Sequence, residues 1–157
     1  MNSSERRKNL VILGMHRSGS SVISSALMKC GFHLGFEDDA GVVNARESRE
    51  RHNVVAINDK LLSEVGSTWF QPAPVAKQKV IEIQQLIGAL DRRSPWLLKD
   101  PRLVFTWPAW DSMLGSAAKL FVYRSPLAVA DSLNKSQGFP IEYGLDLWEI
   151  YSRQAMK

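Results

Sequence analysis

The chain has little cysteine and no long apolar run, and each shortage excludes a class of protein. Its 157 residues contain a single cysteine, Cys30, so neither an intramolecular disulfide nor a multi-cysteine zinc site can form. The longest apolar stretch, residues 10–15, ends at His16 and is far too short to span a bilayer. It also lacks the length and the small-residue cleavage site of a signal peptide. We therefore expect a cytoplasmic protein with no membrane partner.

Composition and charge are those of an ordinary globular chain. Hydrophobic residues make up 45% and charged residues 23% of the sequence, which argues against a disordered chain, a collagen or a coiled coil. There are 20 Lys and Arg against 16 Asp and Glu, an excess that suits an anionic ligand but also simple solubility. No long basic block marks a nucleic-acid-binding arm, so we expect no nucleic-acid partner. The length predicts one domain, which we place at residues 9–157 after a flexible tail at 1–8; the sequence leaves the oligomeric state open.

Short apolar runs alternate with segments of helical periodicity. The pattern predicts strands at residues 10–13, 32–34, 96–99 and 120–123. It predicts helices at residues 20–30, from about 50 to 66, at 75–90, from 126 onward and from 145 onward. Strands that alternate with helices favour parallel pairing, so we expect a three-layer α/β sandwich with a central parallel sheet. Ligands of such sheets bind at the carboxyl ends of the strands, which directs attention to residues 16–21, 99–102 and 124 onward.

A glycine-rich segment follows the first predicted strand. Residues 14–21 read GMHRSGSS, with the two glycines five apart and hydroxyl residues at the start of the next helix. Such a turn directs backbone amides at an anion, and the helix N-terminus adds partial positive charge. The segment nearly fits the GxxxxGK[ST] phosphate loop, but Ser20 stands where the lysine belongs, which argues against ATP or GTP chemistry. Arg17 supplies a cation inside the loop, and its planar guanidinium can engage two oxygens at once.

Two segments resemble the sulfotransferase family that uses 3′-phosphoadenosine 5′-phosphosulfate (PAPS) as donor. Residues 16–21, HRSGSS, resemble its 5′-phosphosulfate loop, and the resemblance implies a P-loop-like nucleotide-binding fold. It also implies that the 5′-phosphosulfate is bound by Arg17, Ser18, Gly19, Ser20 and Ser21. Arg124 at a strand end, followed eight residues later by Ser132 in the next helix, resembles the family's 3′-phosphate signature. A guanidinium and a hydroxyl from adjacent elements can converge on one phosphate.

Sulfuryl transfer to a hydroxyl needs a base that takes the proton. In the bacterial branch of the family a glutamate opens the helix that leads to an Asn-Asp-x-Leu-Leu-like run, which residues 58–62, NDKLL, match. The match implies Glu50 as the base, with Glu47 and His52 as alternatives; either glutamate is also explained as a solvated acid at a helix start. Arg17 and the loop amides would stabilise the charge that grows on the departing phosphate. The chemistry requires no metal, and the three histidines are scattered with no metal-ligand spacing.

A Lys-Asp-Pro-Arg block at residues 99–102 also matches the bacterial branch. The resemblance implies that Lys99 and Arg102 contact donor or acceptor, while the structural alternative is an Asp100–Arg102 pair that fixes the turn. Trp107 and Trp110 would share a helical face, a spacing more typical of a core than of an acceptor platform.

The resemblance covers nearly the whole chain but ends before the glycine-rich, basic segment with which the family closes over the nucleotide. We therefore expect a C-terminally truncated sulfotransferase, either a natural fragment or a shortened gene product. Its expected reaction is transfer of a sulfuryl group from PAPS to the hydroxyl of a small-molecule or glycan acceptor. A non-catalytic nucleotide-binding fragment is the alternative, and a P-loop kinase or nucleotide hydrolase is less favoured. The sequence does not reveal the acceptor.

Overall fold

The computed structural model describes residues 8–34, 42–43, 49–114 and 117–157. The alternative base Glu47 and the predicted tail up to residue 7 lie outside these ranges. The elements in chain order are β1 (Leu10–Leu13), α1 (Ser20–Lys29), β2 (Val42–Val43), β3 (Glu50–Arg51), α2 (His52–Glu64), α3 (Ile81–Leu90), β4 (Leu97–Lys99), α4 (Leu103–Leu114), β5 (Ala118–Phe121), α5 (Pro126–Gln137) and α6 (Ile141–Ala155). None of the described helices is long and apolar enough to cross a membrane.

A small parallel sheet organises the fold, with the strand order β4-β1-β5. The central strand β1 pairs with both neighbours, so that Leu10 lies opposite Leu97 on one side and Ala118 on the other. The strands β2 and β3 form a separate antiparallel pair. The prediction of an α/β fold with a parallel sheet is therefore confirmed.

Side chains of β1 alternate between two hydrophobic clusters. Val11 and Leu13 belong to the larger cluster, which also receives buried side chains from α2, α3, α4 and α6. Ile12 belongs to a smaller cluster, against which Leu27 and Met28 of α1 pack. A strand covered on both faces needs a continuous apolar run, which is why the sequence of β1 is readable as a buried strand.

Several predicted elements have different bounds in the structure. The segment 75–80 is not helical, because the Val75 N–H donates to the Phe105 carbonyl at 3.0 Å and holds the segment against α4. Residues 32–34 form only a single bridge, between His33 and Trp96. Glu50 lies in β3 rather than in a helix, since α2 begins two residues later, at His52.

The strand predicted at 120–123 lies two residues earlier, and one helix was not predicted. Pairing with β1 begins at Ala118, which lies opposite Leu10. This register sets the bounds of β5, whereas the prediction followed the apolar run in the sequence. The unpredicted helix α4 contains Pro108 and follows directly on the turn at Pro101, two residues that weaken a helical pattern in sequence. Its Trp110 is fully buried, as the helical spacing of the tryptophans indicated.

Helix α6 is fixed against α5 by a close approach of backbones. A Cβ added at Gly144 would lie 2.8 Å from the Cα of Ala130, so the two helices touch at this glycine. The indole of Trp148 on α6 donates to the carbonyl oxygen of Arg124 at 3.0 Å. The helix pair thereby supports the chain just after β5, where the candidate site lies.

Candidate functional site

The loop between β1 and α1 is shaped by two residues with special backbone requirements. A Cβ at Gly14 would lie 2.6 Å from the carbonyl oxygen of Val122, so only glycine fits beside the chain that follows β5. Arg17 adopts a left-handed conformation with φ of 65°. That conformation costs a non-glycine residue about 1–3 kcal/mol, and outliers of this kind cluster at functional sites. The helix α1 then begins at Ser20 with no side-chain cap.

A cleft of about 420 Å³ opens at the carboxyl edge of the sheet, next to this loop. It is lined by His16, Arg17, Gly19, Ser20, Ser21, Glu50, Lys99, Pro101, Arg124 and Ser132. Three of the lining side chains are basic and one is acidic, a balance that suits an anion. Ser18, also predicted in the phosphosulfate loop, is buried behind this surface.

The two predicted phosphate-binding motifs meet in the cleft. The Arg17 Nε donates to the Ser132 hydroxyl at 2.8 Å, although the two residues are 115 positions apart. The Arg124 Nη1 donates to the carbonyl oxygen of Arg17 at 3.0 Å. The glycine-rich loop, the end of β5 and the helix α5 therefore present their side chains to one space.

Glu50 and Lys99 form a charged pair on another wall of the cleft. The Lys99 Nζ lies 2.5 Å from a carboxylate oxygen of Glu50, and the Glu50 and Lys99 side chains are 15% and 4% exposed. The same Nζ donates to the Ser21 hydroxyl at 3.4 Å. Burial raises the pKa of Glu50 above its ordinary value, and the charge of Lys99 opposes that rise. The pair places a carboxylate of raised pKa one side chain away from the start of α1, since Lys99 contacts both Glu50 and Ser21.

Arg102 is not among the residues that line the cleft. Its guanidinium binds Asp59 at 2.6 Å and Asp100 at 3.1 Å, so the pair that fixes the turn is present. Burial opposes the charge of Arg102, but the two carboxylates outweigh it and raise its pKa. His52, the weaker alternative base, is exposed and is also outside the cleft lining.

A buried polar network behind β4 escaped the sequence analysis. The side-chain oxygen of Asn58 accepts hydrogen bonds from the hydroxyl of Thr106 and the indole of Trp110, each at 2.8 Å. The Asn58 amide donates to the buried carboxylate of Asp100 at 3.2 Å. Asn58 lies within the apolar stripe of α2. A buried polar side chain needs hydrogen-bond partners, so a polar residue in this stripe was the sequence signal for the network.

His16 also lines the cleft, although the sequence analysis assigned it no role. Its ring lies 4.5 Å from the Trp69 ring in a tilted arrangement and meets the Tyr151 ring edge-on at 6.1 Å. Burial lowers its pKa well below the ordinary value, and the charges of Arg102, Lys99 and Arg17 add to the effect. The imidazole is therefore neutral near pH 7. Its position inside the glycine-rich loop was the signal that could have identified it.

Comparison of the chain with protein-family models, curated proteins and solved structures finds no match. In the described ranges, no group of three or more His, Cys, Asp or Glu side chains could hold a metal ion. The fold and the site thus define an α/β protein with a basic cleft at the carboxyl edge of its sheet.

Proposed function

We propose that the chain is a PAPS-dependent sulfotransferase, with a P-loop-like nucleotide-binding fold of three layers. The observation that carries the proposal is the meeting of Arg17, Ser132 and Arg124 at one cleft. Two cationic groups from separate motifs, with a hydroxyl between them, suit a nucleotide that carries an anion at both ends. The cleft volume of about 420 Å³ is within the range of small-molecule sites.

The 5′-phosphosulfate binds against the loop and the start of α1. A helix dipole contributes only ~0.3–1 kcal/mol to such an anion, so the dipole alone does not hold a multiply charged group. Arg17 supplies the full positive charge and remains able to engage two oxygens. Arg124 and Ser132, which lie next to Arg17, bind the 3′-phosphate.

The transfer step needs a nucleophile, a leaving group and a proton acceptor. The acceptor hydroxyl oxygen attacks sulfur in line, the bond from sulfur to the bridging phosphate oxygen breaks, and 3′-phosphoadenosine 5′-phosphate (PAP) leaves. The proton of the hydroxyl passes to the carboxylate of Glu50, whose raised pKa makes it a better base than an ordinary glutamate. Lys99 holds that carboxylate beside the loop and contacts the substrates, whereas Arg102 fixes the turn that follows β4.

A transfer assay tests this proposal. The protein is incubated with PAPS and a panel of small alcohols and glycans, and release of PAP together with the sulfated product is measured. Arg17→Ala should lower the rate roughly 10²–10³-fold, the effect of one lost donor to a developing charge. Arg153→Ala is the matched control, because Arg153 is an exposed arginine of α6 paired with Glu149. Turnover that does not depend on Arg17 would contradict the proposed role of the loop.

Binding of PAP without transfer to any acceptor would instead identify a non-catalytic nucleotide-binding protein. Turnover of ATP with magnesium would point to a P-loop kinase or nucleotide hydrolase. The residue against that last outcome is Ser20, since a nucleoside-triphosphate loop places a lysine there to reach the β- and γ-phosphates.

A further inference from the structure

The side chain of His16 has a hydrogen-bonding atom that the described part of the protein does not satisfy. The Nε2 atom is buried and has no partner among the described residues. A buried polar nitrogen without a partner costs about 1–3 kcal/mol, so its presence needs a physical explanation. His16 lines the basic cleft, where a ligand oxygen can lie next to it.

The groups around the imidazole are mostly positive. Arg17 of the loop, Lys99 of β4 and Arg102 after β4 all disfavour a charged imidazole, in addition to burial. Two of these cations have acidic partners, since Lys99 pairs with Glu50 and Arg102 pairs with Asp100. From α6 the ring meets the hydroxyphenyl group of Tyr151, and from the loop before α3 it meets Trp69. An anion in the cleft would offset these positive charges.

We propose that the cleft binds its anion together with one proton, which the His16 imidazole takes up in order to donate from Nε2 to a phosphate or sulfate oxygen. The inference rests on the anion-binding part of the proposed function and not on group transfer. It gives a binding role to His16, to which the motif resemblance assigned none.

The inference has a defined pH dependence. Binding and protonation favour each other reciprocally, so the anion raises the pKa of His16 and acid strengthens anion binding. Between the low pKa of the free protein and the raised pKa of the complex, affinity should increase up to tenfold for each unit of decreasing pH. Above the raised pKa the affinity should no longer change through this group.

Histidine NMR titration tests the inference on the wild-type protein. The chain has three histidines, and His16→Gln assigns the signal of His16 by removing it. The titration is run in inorganic sulfate and in chloride of equal ionic strength, because sulfate carries no proton of its own in this range. Sulfate should raise the midpoint of His16 by about one unit or more above its value in chloride.

Calorimetry with PAP in buffers of different ionisation enthalpy gives an independent count of protons. The wild type and Glu50→Gln should both take up a proton on binding, whereas His16→Gln should take up less. PAP binding with equal uptake in His16→Gln, or an unshifted His16 signal in sulfate, would overturn the inference and leave the proposed function standing. A sulfate-linked shift without PAP binding would support the inference and contradict the proposed donor. No response to either anion would overturn both.

Discussion

At the scale of single residues, the pair formed by Glu50 and Lys99 sets the proton chemistry that the proposal requires. Burial raises the pKa of Glu50, and the base is active only when ionised. The transfer rate should therefore rise with pH through a pKa above that of an exposed glutamate. Glu50→Gln should abolish this rise, and kcat/KM measured against pH checks it because that ratio reports the pKa of the free enzyme.

Lys99→Met provides the matched change for the same experiment. The positive charge of Lys99 lowers the pKa of Glu50, so removing that charge should move the rising limb to still higher pH. If the rise of kcat/KM with pH keeps its position in Lys99→Met, or persists in Glu50→Gln, another group is the base.

At the scale of secondary-structure elements, the end of β1 depends on the close approach of the chain at Gly14. Gly14→Ala would place a methyl group 2.6 Å from the carbonyl oxygen of Val122, where backbone must move to make room. We expect a loss of about 1–3 kcal/mol in the free energy of unfolding, the usual result of overpacking. Urea denaturation measures it, with an unchanged slope against denaturant.

Gly88→Ala is the control for this prediction. Gly88 lies on the exposed side of α3, and an added Cβ there meets nothing within 4 Å. Alanine inside a helix should stabilise the protein by about 0.5–1 kcal/mol relative to glycine. Equal effects at the two glycines would contradict the account of the loop.

The sequence predicts the helices and strands whose positions are determined by their own residues. The buried run of β1, the periodic α1, and α5 with proline at its start all appear where expected. The start of α3 depends on a bond to Phe105, and the bounds of β5 depend on its register with Leu10. Such long-range pairing is not encoded in local periodicity, which is why those boundaries were wrong.

The same distinction applies to the cleft. The loop, Arg124 and Ser132 were predicted because motif spacing identifies them, and the structure brings them together. The sequence places His16 in the glycine-rich loop, but its burial and the cations that distant elements bring to it could not be predicted. Arg102 was expected to contact donor or acceptor; in the structure its guanidinium pairs with Asp59 and Asp100, and the substrate contact stays a prediction.

At the scale of the whole molecule, Asn58 joins α2 to α4 and to Asp100 in the turn after β4 through buried hydrogen bonds. Asn58→Ala removes the acceptor of the Trp110 N–H and one acceptor of the Thr106 hydroxyl. Since each unsatisfied buried group costs about 1–3 kcal/mol, we expect roughly 2–4 kcal/mol of destabilisation. Thermal unfolding should show the midpoint lowered by about 2–4 °C for each kcal/mol.

Gln85→Ala is the comparison for Asn58→Ala, because Gln85 is an exposed amide on α3. Its effect on stability should stay within ~0.5 kcal/mol, as for most surface substitutions. Equal thermal unfolding midpoints for Asn58→Ala and Gln85→Ala would show that the network does not hold these elements together.

The central claim is that one cleft binds both anionic ends of a single nucleotide, and calorimetric titration with PAP and with AMP tests it most directly. AMP lacks the 3′-phosphate, so the wild type should bind PAP roughly 10–100-fold more tightly, the worth of a charge-assisted hydrogen bond. Arg124→Ala should remove most of that preference, and Arg153→Ala should retain it. Equal affinities of the wild-type protein for PAP and AMP would contradict the claim.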